Sequence, residues 1–476
     1  MHARTRRPGA HALVTIVLSG VLSAPAAPQC ELDCLVGEWS ETGFGNHVAL
    51  SGQRLVTAGA LDEDGQLWAV CVFERRGVDW VRVAQLTPED HRPGTGFGRS
   101  PGVDGNRAVA GAPYDDIYGP STGSAYVFEY SGGVWSQAAK LLASDGSERD
   151  RFATSVAISG DYVVVGAIYD GAGSAYVFER QTDGTWAQVQ KLVASDAQGG
   201  DEFGGSVAIC GQVILVGARG DDDQGFSSGA AYVFEHEADG CWSQAAKLHA
   251  SDGRFLMNFG YSVSVSGNLA LIGAPTADGQ VDWSGAAYVF ERTTDGTWVE
   301  LAKLFANDGG VSDEFGYSVS VSRNVAVVGA IYHGDPGWEP GAAYVFARGL
   351  DEIWSQAAKV VPDDGEHLDW FGNAVAVSGN IAVVGTWPND INQPPKPGKA
   401  YIYAVGPDED EDGVMDACEC PGDLNKDWIV DFRDVLILLD DWGCTGPDCP
   451  GDADADNDTD QADLGLLLAN WSNVCP

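Results

Sequence analysis

The chain is short of positive charge: its 476 residues hold 27 Lys and Arg against 69 Asp and Glu, a formal net charge of −42. So acidic a protein repels phosphate-rich polymers, which excludes nucleic acid and anionic membrane surfaces as partners. Methionine is scarce, at 3 residues, while 62 glycines interrupt the sequence every few positions. That excludes a helical bundle and points to many short strands and turns. Beyond residue 26 no apolar run is long enough to cross a bilayer, so no membrane insertion is expected. Histidines are few as well, and His47, His91, His236, His249, His333 and His367 stand at unrelated points with no metal or triad spacing. An enzyme needs a convergent set of groups, so this scatter weighs against catalysis. What remains is plentiful: 44% hydrophobic residues and 15 Trp supply a large core and exclude wholesale disorder.

The one long apolar run lies at the start. Arg4, Arg6 and Arg7 precede Ala10 to Ala24, and Ala24-Pro25-Ala26 offers small residues for cleavage, so residues 1–26 read as an export signal. Ten cysteines fit a secreted protein in an oxidising compartment.

The chain then repeats. Phe44, Phe97, Phe152, Phe203, Phe259, Phe315 and Phe371 are each followed by Gly, or by Ala153 in the third copy, at spacings of 53, 55, 51, 56, 56 and 56. A Gly follows each Phe by 14 residues, 15 in the first copy. Within the fourth copy, FGGSVAICGQVILVGA is two alternating apolar runs around a tight Gly turn, a β-hairpin with a buried face. Strands around Phe234 and Trp242 follow, joined by an Ala-Asp-Gly turn. A four-stranded sheet of this size cannot bury both faces alone, so seven such units stack radially into an all-β, seven-bladed β-propeller over residues 27–405. The seventh unit stops at Tyr401-Ile402-Tyr403 without a Trp strand, and the missing outer strand is expected from Cys30 to Val36, pinned by a Cys30–Cys34 disulfide.

The Phe-Gly pairs and the Gly-Ala-Pro triplets at 111–113 and 273–275 resemble FG-GAP repeats, the blade unit of integrin α-subunit propellers and of many bacterial surface proteins. The resemblance implies a propeller and an adhesion or recognition role. Integrin-type blades carry a calcium loop between the two signatures. Here Ser159-Gly160-Asp161 or Ser266-Gly267-Asn268 stands there, too short to supply five oxygens.

Specificity is expected on the face that carries the second-to-third and blade-to-blade loops. Its candidates are Asp115, Asp116, Tyr118, Tyr169, Asp170, Asp221, Asp222, Asp223, Asp282, Trp283, Asp335, Trp338 and Trp387, because rings stack on sugar faces and carboxylates accept hydroxyl hydrogen bonds. The same residue types are also what turns and blade rims use. Trp80, Trp135, Trp186, Trp242, Trp298 and Trp354 read as core, and the Ala-Ser-Asp-Gly stretches as turns. Paired carboxylates for a polysaccharide-cleaving enzyme are the alternative, although no pair stands out.

Residues 407–476 hold 20 acidic and 2 basic side chains, −18 of the total charge. Asp423, Asn425, Asp427, Asp431 and Asp434 occupy positions 1, 3, 5, 9 and 12 of an EF-hand-type loop, and Asp452, Asp454, Asp456, Asp460 and Asp463 repeat the pattern 29 residues on. Each loop leads to a Trp, Trp442 or Trp471, 19 residues after its first ligand. Residues 422–476 therefore resemble type I dockerin, a small α-helical calcium-folded module, which implies structural Ca2+ and a cohesin-like scaffold or cell-surface protein as partner. The positions that select the cohesin in dockerins are here Phe432-Arg433 and Gln461-Ala462. Position 6 is Trp428 or Asn457 where Gly is usual. Upstream, residues 406–421 form an acidic linker in which Asp408, Asp410, Asp412, Asp416 and Glu419 resemble a thrombospondin type 3 calcium loop.

Overall fold

The computed structural model describes residues 31–37, 43–60, 68–77, 79–334, 340–349, 351–362, 364–387 and 396–405. The export signal, the linker, the dockerin-like module and all fifteen candidate calcium ligands lie outside the described residues, as do Phe432, Arg433, Gln461 and Ala462.

Seven antiparallel four-stranded sheets make up the described chain, each a meander in chain order except the last. Blade four is representative: Phe203–Cys210, Val213–Ala218, Ala230–His236 and Trp242–Leu248. Blade seven combines Ala374–Ser378, Ile381–Gly385 and Lys399–Ala404 with Glu31–Val36 as its outer strand. Cys34 pairs with Tyr401 and Val36 with Lys399, so the N-terminal segment closes the ring as its position in the repeat predicts. Cys30 lies outside the described residues.

First strands pack against the first strands of both neighbouring blades and so surround the centre. Each core cluster is shared between two blades: Leu215 and Val233 of blade four meet Phe259 and Ile272 of blade five. The repeat phenylalanines anchor these seams at 1% exposure or less. Phe203 lies edge-on to Tyr232 and Phe234, with ring centroids 5.4 and 6.1 Å away. Burying such a ring contributes roughly 2–3 kcal/mol.

The glycines are explained by the same seams. A Cβ on Gly217 would lie 2.1 Å from the Gly260 carbonyl oxygen of the next blade, and one on Gly229 would lie 2.0 Å from the Phe259 carbonyl oxygen. Adjacent blades thus touch backbone to backbone at the two signature motifs. In four copies the serine three residues after Phe adds a clip: Ser206 Oγ donates to the Gly260 carbonyl at 2.9 Å, and Ser155, Ser262 and Ser318 repeat the bond at their own seams.

The Ser-Gly turns, where integrin-type blades carry calcium, make a second set of bonds. Gly211 N donates to Ser159 Oγ at 3.1 Å, Gly379 N to Ser322 Oγ at 3.1 Å and Gly52 N to Ser378 Oγ at 3.0 Å. Ser51, Asp104, Cys210 and Ser266 accept at the other four seams, which completes a ring of seven.

Candidate ligand-binding face

The second-to-third loop of each blade lies along the stretch that enters the next blade. Phe152 N donates to the Thr122 carbonyl at 3.0 Å, and Phe259 N to that of Ser228 at 3.1 Å. Both loop types therefore share one face. Around the central mouth three positions come together in the described repeats: the residue before Phe, the residue after Phe-Gly, and the first or second residue beyond the Gly-Ala pair, Gly-Thr in the seventh copy.

The residue before Phe has a left-handed backbone in all seven copies. Gly43 and Gly96 adopt it freely, whereas Arg151 (φ 51°), Glu202 (57°), Asn258 (54°), Glu314 (57°) and Trp370 (50°) do so as side-chain-bearing residues. Each costs on the order of 1–3 kcal/mol, tolerated where surrounding structure fixes the conformation and typical of functional rims. These side chains join a band of rings and charges. Arg99 lies 5.2 Å above the Tyr114 ring, and Arg151 lies between Tyr114 (5.4 Å) and Tyr169 (4.9 Å). Arg219 is 5.2 Å from the Tyr261 ring and pairs with Glu202 at 2.6 Å, and Tyr261 meets Tyr317 at 5.1 Å. Tyr332, Trp370 and Trp387 continue the band edge-on at 5.6 and 5.5 Å.

Electrostatics sharpen the mouth. Burial raises the Glu314 carboxyl to about 6, close to neutral pH. His47 moves the other way, lowered to about 3 by burial and by the Arg99 charge. For Arg219, burial works to lower the pKa, but Glu202, Tyr261 and Tyr169 raise it overall and keep the guanidinium charged.

Farther out on the same face are exposed rings. Phe226 and Phe255 are 62% and 54% exposed, with centroids 6.1 Å apart. Beside them Trp283 lies under Arg254 at 4.4 Å.

Of the candidates read from sequence, Tyr169 and Trp387 belong to the mouth band, and Tyr118 and Trp283 are exposed on the outer loops. Asp116 and Asp222 are exposed but shape turns, accepting from Ser121 N at 2.7 Å and Ser227 N at 3.1 Å. Asp282 is exposed, while Asp335 and Trp338 lie outside the described residues. Asp115 is different. It is buried, and its Oδ2 accepts from Ser124 at 2.8 Å and pairs with Lys140 at 2.9 Å, so it supports the blade rather than facing a ligand.

That arrangement recurs. The Ala-Ser-Asp-Gly aspartates do more than turn the chain: Asp145 accepts from Tyr176 Oη at 2.8 Å and pairs with Lys191, which also reaches Asp170. In blade four Lys247 lies within 2.8 Å of Asp196, Asp221 and Asp223, carboxylates close enough to share a cation. The ammonium fills that role. Burial alone would lower its pKa, but the three carboxylates outweigh burial and raise it.

Sequence reasoning missed Arg99, Tyr114, Arg151, Arg219, Tyr261, Tyr317, Tyr332 and Trp370, together with Phe226 and Phe255. The available signal was variation beside an invariant motif: Arg99, Tyr261 and Tyr317 all directly follow Phe-Gly.

A profile of the FG-GAP repeat matches residues 80–128, 135–178, 186–234, 242–290, 298–346 and 354–403. Each match starts on the outer-strand Trp of one blade and ends on the third strand of the next, so the repeat straddles a seam. No curated protein matches the chain.

Proposed function

The chain belongs to the FG-GAP repeat family, and on that premise we propose that its propeller is a non-catalytic recognition module of a secreted protein. Its loop face binds an extracellular ligand, a carbohydrate or a protein. Its tail holds structural Ca2+ and attaches the propeller to a cohesin-like scaffold or a cell-surface protein. The observation that carries the binding reading is the mouth band: the repeat keeps its backbone, including five strained positions, while the side chains displayed there differ from blade to blade. Rings stack on sugar faces or on apolar protein anchors, and arginines donate to hydroxyl, carbonyl or carboxylate oxygens. Lysines and Arg219 already neutralise most nearby carboxylates, which leaves little for acid–base chemistry.

A second reading rests on Glu314. A carboxyl raised to about 6 suits a general acid, as glycoside cleavage requires. Co-sedimentation of the full chain with a panel of insoluble polysaccharides, with released reducing ends assayed in the same tubes, separates the two. Binding without release supports recognition; release supports the enzyme.

The calcium reading rests on the two loop registers at 423–434 and 452–463. Calorimetric calcium titration of the full chain is expected to lose binding sites in the Asp423→Ala and Asp452→Ala variants. Unaltered affinity and stoichiometry in both would overturn the register.

A further inference from the structure

Most cations of the propeller meet an acid. Among the described residues every lysine lies against a carboxylate, and at the mouth Arg219 pairs with Glu202 at 2.6 Å. Arg99 and Arg151 depart from that pattern. They converge on one ring, 5.2 and 5.4 Å from the centroid of Tyr114, and no described carboxylate pairs with either. Arg99 donates to Tyr114 Oη at 2.6 Å, and Arg151 also lies 4.9 Å from the Tyr169 ring. Phenol rings thus hold both guanidinium groups in place and leave donor edges open.

The next blade shows the alternative. Glu202 stands directly before Phe203 just as Arg151 stands directly before Phe152, so one rim position supplies an acid in blade four and a second cation in blade three. Two like charges around a single ring repel each other, a cost that a bound anion removes. The left-handed backbone of Arg151, at φ 51°, stores strain in the same place.

On the other side of the mouth, blades five to seven present Tyr261, Tyr317, Tyr332, Trp370 and Trp387. Ile168 and Ile331, at mouth positions of blades three and six, are buried, and no aliphatic side chain is exposed at those positions among the described residues. Such a surface suits hydroxylated rings better than the apolar core of a protein interface. The mouth therefore divides into a cationic arc and an aromatic arc. A net charge of −42 opposes a polyanion, so the anion that fits is an isolated one.

We propose that the ligand is a saccharide carrying an isolated carboxylate, a uronic acid, whose acid group is held by Arg99 and Arg151 while adjoining sugar rings stack on the aromatic arc. This rests on the recognition reading above and narrows it. A guanidinium meets a carboxylate through parallel charge-assisted N–H···O bonds, which fix the orientation of the sugar as well as its position.

The test is calorimetric titration of the full chain with neutral oligosaccharides capped by a single glucuronate or galacturonate, each beside its methyl ester. The ester removes the charge and keeps the sugar. Peptides ending in Glu serve as the protein-type comparison. At least one capped saccharide is expected to bind, tenfold or more tighter than its ester. Arg99→Gln and Arg151→Gln are each expected to cut that preference to about threefold or less, whereas Arg323→Gln, on a turn of the opposite face, retains it. Acid and ester binding alike, a preference that survives both mouth variants, or binding confined to neutral sugars or to the peptides would overturn the carboxylate subsite and leave the recognition reading standing. No binding by any member overturns the subsite too, and the insoluble-polysaccharide assay then decides the recognition reading separately. The acid–ester comparison uses the unmodified protein, so it holds even where a variant misfolds.

Discussion

The Gly52 amide of the first blade donates to the Ser378 hydroxyl of the seventh at 3.0 Å, joining residues 326 positions apart. This bond closes the ring of seven turn contacts, and no covalent continuity at that turn replaces it. Ser378→Ala is therefore expected to lower stability by about 0.5–1 kcal/mol, the low end of a hydrogen bond because the site is exposed. Urea unfolding of the variant beside Ser159→Ala checks this, and no change in either would show that the turn ring contributes nothing.

Gly217 and Gly211 separate two reasons for glycine. Gly217→Ala drives a Cβ to 2.1 Å from the Gly260 carbonyl oxygen and is expected to cost about 3 kcal/mol or to block folding. Gly211 has φ 58° and open space around it, so Gly211→Ala meets only backbone strain, roughly 1 kcal/mol. Chemical denaturation of both variants reads the difference.

Lys247 stands where a metal would. Lys247→Met leaves Asp196, Asp221 and Asp223 facing one another, and a loss of about 2–3 kcal/mol is expected. Calcium at millimolar concentration is expected to restore part of the melting temperature in this variant. To keep the tail's calcium loops out of the readout, the same titration on the unmodified protein serves as the baseline.

Glu314 at the mouth and buried His47 give opposite pH dependences. Glu314 has a folded pKa of about 6, above its ordinary value, so its folded state holds more protons and stability falls as pH rises through 4.5 to 6. Glu314→Gln is expected to gain about 1 kcal/mol at pH 7.5 relative to pH 4. His47 has a folded pKa of about 3, so the unfolded state holds more protons and stability falls as pH drops from 6.5 toward 3. His47→Gln is expected to flatten that acid limb in pH-dependent melting.

The propeller was legible because its strongest signal, a Phe-Gly every 51 to 56 residues, is also its strongest packing constraint. Even the closing strand could be placed, since Glu31–Val36 lies where other blades carry their outer strand. The turn ring escaped notice because a Ser-Gly turn looks like local chemistry, whereas its hydroxyl serves the neighbouring blade. Asp115 and Asp145 were obscured in the same way: each looks like a loop or turn residue, and each holds a fourth-strand lysine, Lys140 of the same blade for Asp115 and Lys191 of the next blade for Asp145. The mouth band was hidden because Tyr114 belongs to the second blade and Arg151 and Tyr169 to the third, residues far apart in sequence that only the packing of adjacent blades brings together.

The loop face is proposed to recognise a ligand without transforming it. The most direct measurement compares the full chain with the Tyr169→Ala and Trp283→Ala variants for binding to a polysaccharide and glycoprotein panel, with reducing ends followed throughout. Saturable binding to at least one member is expected, weakened about tenfold or more in one of the variants, with no reducing ends released. Binding that is unchanged in both variants, or steady release of reducing ends, would contradict it.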